Sequence, residues 1–180
     1  MRVYKSESKN IITTTTIDTP LGEMLAAASK DGIVMLAFFT PFNIEAKIDT
    51  LRKKFEADVI PANCDYFDIL KVQLQEYFEN KRTTFDVPMQ LVGSPFQIEC
   101  WKELLNIPYG KTISYKQQAQ NIKRDKSHRA VANANAQNML HIIVPCHRVI
   151  ASNGDTAGYA GGVGKKEFLL SLEARNLWNL

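Results

Sequence analysis

Cys146 is followed directly by His147, and a carboxylate, Glu173, stands in the last helix-like stretch of the chain. A thiol reacts as its thiolate, and a free pKa near ~8.5 leaves little of that anion at neutral pH. A neighbouring histidine can take the proton, while a carboxylate fixes the tautomer of that histidine and stabilises its charged form. Successive residues of a strand point to opposite faces. Direct contact between Cys146 and His147 therefore needs a turn, which Pro145 makes plausible; otherwise a water must bridge the two. Taken alone, the pair fits a buried structural cysteine beside a satisfied core histidine, and the motif around it has to decide.

The elements that must position these groups fall into two halves. In the first, IITTTTID (11–18) and EMLAAAS (23–29) read as strands joined at Pro20-Leu21-Gly22. Lys30-Asp31-Gly32 is a hairpin turn into the apolar strand IVMLAFF (33–39). Ile44, Ile48, Leu51 and Phe55 recur at helical spacing after Asn43, a short strand follows at Val59–Ile60, and Phe67, Leu70, Leu74 and Phe78 line a second helix. Pro88 breaks the pattern. This is a small α/β layer with an antiparallel three-strand start.

Val92-Gly93-Ser94 reads as a linker, giving an N-terminal domain over 1–92 and a C-terminal one over 93–180. Ser94-Pro95-Phe96-Gln97 combines a capping serine, a proline at the first helical position and a glutamine three residues after the cap. A second start at Ser114 opens a helix to about Ile122, and Ser127 can cap a third through about Gln137. Two short helices across a short turn form a helix-turn-helix pattern, which many helical domains also contain. The apolar run HIIVPCHRVI (141–150) carries the cysteine, GYAGGVG (158–164) is a glycine-rich loop, and the final helix turns Phe168, Leu169 and Leu172 inward.

At 180 residues, 45% hydrophobic and 23% charged, the composition is that of a globular protein. No apolar run reaches the ~20 residues of a membrane helix, and the basic start MRVYKSESKN leads into no apolar signal core. The three cysteines, Cys64, Cys100 and Cys146, are odd in number and far apart, which fits a reducing compartment. The expected location is cytoplasmic, on the nucleoid in a prokaryote, or nuclear in a eukaryote. No CxxC pair exists and all three histidines lie in the last third, so no metal site is expected. Residues 1–92 hold 11 Lys+Arg against 13 Asp+Glu, a net −2; residues 93–180 hold 11 against 6, a net +5. The second half is the side for a polyanion.

Pro145-Cys146-His147-Arg148-Val149 resembles the acceptor motif of the O6-alkylguanine-DNA alkyltransferases. The resemblance extends over 93–180 through GKTISY (110–115), RAVANA (129–134), Asn138, YAGG (159–162) and Lys166-Glu167 followed by Glu173; in the first half it rests on IDTPLG (17–22). It implies an α+β fold, an RNase H-like N-terminal domain before a mostly helical, winged-helix-like C-terminal one. It also implies that Cys146 takes an alkyl group from O6 of guanine, or from O4 of thymine, in duplex DNA, without a cofactor. His147, through a water, and Glu173 would generate the thiolate, and Asn138 would brace the turn. Tyr115 would protonate the departing base at N3. Carbonyls of Cys146 and Val149 would accept from the guanine amine, with Tyr159 and Ala160 closing the pocket.

Reaching O6 requires everting the nucleotide, and Arg129 would fill the gap. Ala130 and Ala132, with Ala134 and Ala136, suit a helix in a narrow minor groove. Asn133 and Asn135 would contact sugar or base edges, and Lys123, Arg124, Lys126 and Arg148 would contact phosphates. A thioether offers water no carbonyl to attack, so the protein would react once; with no long heptad or extra apolar face in the sequence, a monomer is expected. Two departures stand out: Met139 replaces a usual proline, implying a more mobile approach to the cysteine, and Ala160 replaces a serine of some members.

A Cys-His-Glu hydrolase is the rival enzyme, but a basic helix-turn-helix before the cysteine has no place in its scheme. A non-catalytic lesion sensor of this family would carry tryptophan where Cys146 stands. A transcription regulator would need an effector domain that 180 residues leave no room for.

Overall fold

The computed structural model describes residues 10–40 and 44–176. The expected helix opener Asn43 lies outside them. The β-branched and apolar runs form β1 (Asn10–Thr19), β2 (Gly22–Ser29) and β3 (Gly32–Phe38). They pair as an antiparallel meander, and β4 (Ala57–Pro61) adds in parallel to the far side of β1, giving the order β3-β2-β1-β4. Helix α1 (Ile44–Phe55) makes the crossover to β4, and α2 (Asp65–Phe78) follows.

Strand β3 ends the sheet yet is buried along its whole length. An unpaired edge would leave backbone donors and acceptors bare; here two later segments cover it. Ile33 N donates to Pro88 O and Gln90 N to Ile33 O, both at 2.8 Å. Further along, Leu36 N donates to Met139 O and His141 N to Leu36 O, also at 2.8 Å. A Cβ at Gly32, whose φ is +143°, would meet Pro88 O at 2.5 Å, so the close approach needs a glycine.

The second half contains α3 (Pro95–Leu104), β5 (Ile113–Ser114), α4 (Tyr115–Asn121), α5 (His128–Ala136), β6 (Val149–Ile150) and α6 (Val163–Asn176). Both bonds of the predicted Ser94/Gln97 capping box are present, and Ser114 Oγ accepts from Gln117 N at 3.0 Å. Ser127 precedes α5 but its side chain makes no capping bond, a departure from the expected cap. The α4–α5 pair is locked from inside: Asn135 Nδ2 donates to Gln118 Oε1 at 2.7 Å, and Trp101 Nε1 of α3 donates to Ala134 O at 2.9 Å.

One apolar cluster draws on both halves, joining Leu36, Phe67, Leu70 and Leu74 to Trp101, Val131, Val144 and Leu169. A smaller one, with Val34, Met35 and Leu51, lies beneath α1 and reaches Met139. On α6 Leu169 and Leu172 face inward as expected, but Phe168 is 42% exposed, because helical spacing carries it past the buried stripe. Among the described residues no helix is long and apolar enough to cross a membrane.

Candidate active site

The run 141–150 is not a strand. After the bridge to β3 the chain passes Ile142 at φ +71°, a costly conformation for a β-branched residue. It then forms a single 3₁₀ turn over Cys146–Arg148. That turn supplies the bend that a Cys-His pair needs, and all three of its side chains are buried. Asn138 holds it from the preceding segment: its Nδ2 donates to Val144 O at 2.9 Å and to Cys146 Sγ at 3.2 Å, while its Oδ1 accepts from Leu140 N at 2.9 Å. Met139 is itself buried, with its carbonyl bonded to β3, so the approach to the cysteine is anchored to the sheet.

Glu173 of α6 folds back onto His147, Oε1 to Nε2 at 2.7 Å, with both groups buried. The same carboxylate accepts from Tyr77 Oη at 2.7 Å, from Arg148 Nε and Nη2 at 2.9 and 3.1 Å, and from Gly110 N at 3.1 Å. Burial works against its charge, but the bonds from His147 and Arg148 outweigh it and hold the carboxyl at about 2. An anionic Glu173 requires the proton of His147 on Nε2. Nδ1, which has no partner among the described residues, is then a lone pair free to accept one. Burial also lowers His147 itself, against the pull of Glu173, so the resting imidazole is neutral.

Burial pushes the Cys146 thiol up, opposed by the Asn138 bond and by the charges of Lys166 and Lys47. The resting sulfur therefore keeps its proton, and the residue after it is a neutral imidazole. Tyr115, the first residue of α4, is placed by the parallel pairing of β5 with β6, Ile113 opposite Val149 and Ser114 opposite Ile150. Burial, then Cys146 and Asp155, raise its phenol, so it remains a proton donor at neutral pH. Tyr159 is buried and its hydroxyl has no partner among the described residues; Ala160 is half-buried. The Val149 carbonyl already accepts from Lys166 Nζ at 2.6 Å, leaving one of its two lone pairs.

The outer face is separate. Arg129 and Ala130 are exposed at the start of α5, Ala132 is half-buried and Asn133 exposed. Lys123 and Lys126 are exposed on the turn before it; Arg124, beside them, pairs with Glu99 at 3.3 Å. Two assignments from the sequence need correction. Arg148 is no phosphate contact: it is buried, bidentate on Glu173, and its Nη1 donates to Ile107 O at 2.7 Å. Asn135 is no groove contact either, being buried against Gln118.

Sequence reasoning missed Tyr77, which follows Leu74 at helical spacing and was hidden by choosing Phe78 as the inward aromatic. It also missed His141, buried between Phe38 and Tyr159, with neither ring nitrogen partnered among the described residues. Among the described residues no three His, Cys, Asp or Glu side chains gather to hold a metal ion.

The chain is similar to known proteins in sequence and in fold. Residues 12–91 match the family pattern described as 6-O-methylguanine DNA methyltransferase, ribonuclease-like domain, and residues 95–175 match the DNA binding domain of the same family. A methylated-DNA–protein-cysteine methyltransferase of Methanosarcina mazei is 41% identical over 161 residues, covering 89% of this chain and 96% of that protein. The constitutive one of Bacillus subtilis is 40% identical over 162 residues, covering 88% and 93%. The crystal structure of Mycobacterium tuberculosis OGT in complex with DNA superposes with a TM-score of 0.77 at 36% identity, covering 92% and 94% of the two chains.

Proposed function

Because the chain belongs to the 6-O-methylguanine DNA methyltransferase family, we propose that it repairs DNA by moving an alkyl group from O6 of guanine to its own Cys146. The observation that carries this reading is the buried His147–Glu173 pair, with the free imidazole lone pair on the 3₁₀ turn that holds the thiol. A water between Nδ1 and Sγ passes the thiol proton to His147, and Glu173 stabilises the imidazolium that results. The sulfur attacks the alkyl carbon as the C–O6 bond breaks. Tyr115 donates to N3, so that guanine leaves neutral instead of as an anion.

Residues 93–180 carry both the DNA face and the acceptor, and 1–92 brace them. Helix α5 enters the minor groove, with Arg129 filling the gap left by the everted nucleotide, Ala130 and Ala132 permitting close approach, and Asn133 on the groove wall. Lys123 and Lys126 hold phosphates. The product is a thioether, so one protein monomer repairs one lesion, wherever the cell keeps its DNA.

The test is to mix the protein with a duplex carrying one O6-methylguanine and measure its intact mass. We expect a gain of one methyl group on the peptide containing Cys146, absent in Cys146→Ser. A protein that binds the lesion and stays unmodified overturns the reading in favour of a sensor.

A further inference from the structure

Glu173 Oε1 is crowded. It accepts from His147 Nε2 and from Tyr77 Oη, each at 2.7 Å, and from Arg148 Nη2 at 3.1 Å. Oε2 takes Arg148 Nε at 2.9 Å and Gly110 N at 3.1 Å. An ionised carboxylate offers about four lone-pair sites, two on each oxygen, so three donors share the two of Oε1. His147 and Arg148 belong to the turn that carries the cysteine, whereas Tyr77 comes from α2, in the first half of the chain, and is fully buried.

Packing aims the Tyr77 hydroxyl. The ring stands edge-on to Phe78 and Tyr109, with centroids 5.4 and 6.0 Å away, and lies 5.4 Å from that of Phe85. Burial, then Glu173, raises the phenol well above its ordinary value, so it keeps its proton and stays a donor. The other charges facing the pair are Arg148 and, on α6 with Glu173, Lys166; the nearby His141 is neutral. Burial, then Arg148 and Lys166, keeps the imidazole of His147 from charging, while the bond and charge of Glu173 draw it the other way. Each further donor to a carboxylate spreads its charge and weakens it as an acceptor for the rest.

We propose that Tyr77 is a positioning residue for alkyl transfer: its hydroxyl shares Glu173 Oε1 with His147 and limits how strongly that oxygen holds the imidazole N–H. His147 then stays uncharged until the thiol hands over its proton, and the first half of the chain takes part in the reaction through α2. Tyr77 touches no substrate; it acts through Glu173 and His147. The inference rests on the reading of Cys146 as the alkyl acceptor and His147 as its base.

The experiment follows the single-turnover rate of methyl transfer to Cys146 against pH, with a duplex carrying one O6-methylguanine in saturating excess. It compares the wild type, Tyr77→Phe and Tyr66→Phe. Tyr77→Phe keeps the ring and removes the hydroxyl. With one donor fewer, Oε1 holds the imidazolium more tightly, so His147 charges at a higher pH and the acid limb of the profile moves up by about one unit. At a fixed pH on that limb the variant is then about tenfold slower. Tyr66 Oη, on the same helix, donates to Lys30 O at 3.0 Å; Tyr66→Phe removes a hydroxyl from α2 without touching Glu173 and should leave the limb in place. The readout is the midpoint of the limb and not its height, because loosened packing alone lowers the rate at every pH alike. A limb that stays put or moves down in Tyr77→Phe overturns the inference, as does an equal displacement in Tyr66→Phe. Failure of the wild type to take the methyl group at any pH would instead remove the reading beneath it.

Discussion

Arg148 is buried and holds Glu173 with two nitrogens, whereas Arg129, in the same basic half, stands exposed at the start of α5. The asparagines repeat the contrast, with Asn138 and Asn135 tied into the interior and Asn133 facing out. The buried turn at Cys146 and the exposed helix α5, proposed as acceptor and DNA face, thus use the same residue types for opposite purposes. A buried arginine is kept by a counter-charge that it cannot leave without cost, while an exposed one remains available to a polyanion. Residue type assigns neither role; the nearest counter-charge and access to water do.

The contrast breaks most completely at the sulfur. Cys146→Ser should show no alkyl transfer to the protein in mass measurements, while its melting temperature stays close to that of the wild type. Retained transfer would move the acceptor elsewhere.

Next in size is Arg148→Leu, which leaves a buried carboxylate without its ion pair and should cost roughly 3–5 kcal/mol in denaturant unfolding. A loss within ~0.5 kcal/mol, together with a shallower salt dependence of DNA binding, would return Arg148 to the surface role its position in the sequence suggested.

The third prediction concerns acid. Burial is the largest cause holding His141 down at about 3, against 6.5 when unfolded. A base whose folded pKa is depressed is neutral in both states above 6.5 and destabilises the fold progressively as pH falls from there towards 3. Glu173, an acid depressed from 4.5 to about 2, loses its contribution only in that lower window. Replacing His141 by Leu should therefore shrink the stability difference between pH 7 and pH 5 by about 2 kcal/mol. An unaltered difference would mean that the ring gains protons readily in the folded protein.

On the outer face the effects move from stability to kinetics. Arg129→Ala should slow repair about tenfold or more while changing stability by less than ~0.5 kcal/mol. Unchanged repair kinetics would exclude the gap-filling role. Smallest is Lys123→Ala, which should reduce the slope of log K against log salt by about 0.9, the share of one phosphate contact.

Much of this was legible in the chain. The β-branched and apolar runs announced β1 to β3, the Ser94–Gln97 capping box announced α3, and the Pro-Cys-His-Arg-Val motif with its ordered companions announced the family. These are local signals, because turn chemistry, capping and periodicity act over a few residues and survive being read one window at a time. Three features were not local. Arg148 lies in a basic half, yet Glu173 in a later helix draws it inside. Tyr77 reaches the same carboxylate from the first half of the chain. His141 comes to lie between Phe38 and Tyr159 only because residues 139–141 dock on the free edge of β3. Which elements form, and which cysteine sits in the family's motif, were matters of sequence. Which charges are buried, paired or left available was decided by the tertiary structure, since desolvation and pairing depend on neighbours that only the folded chain brings together.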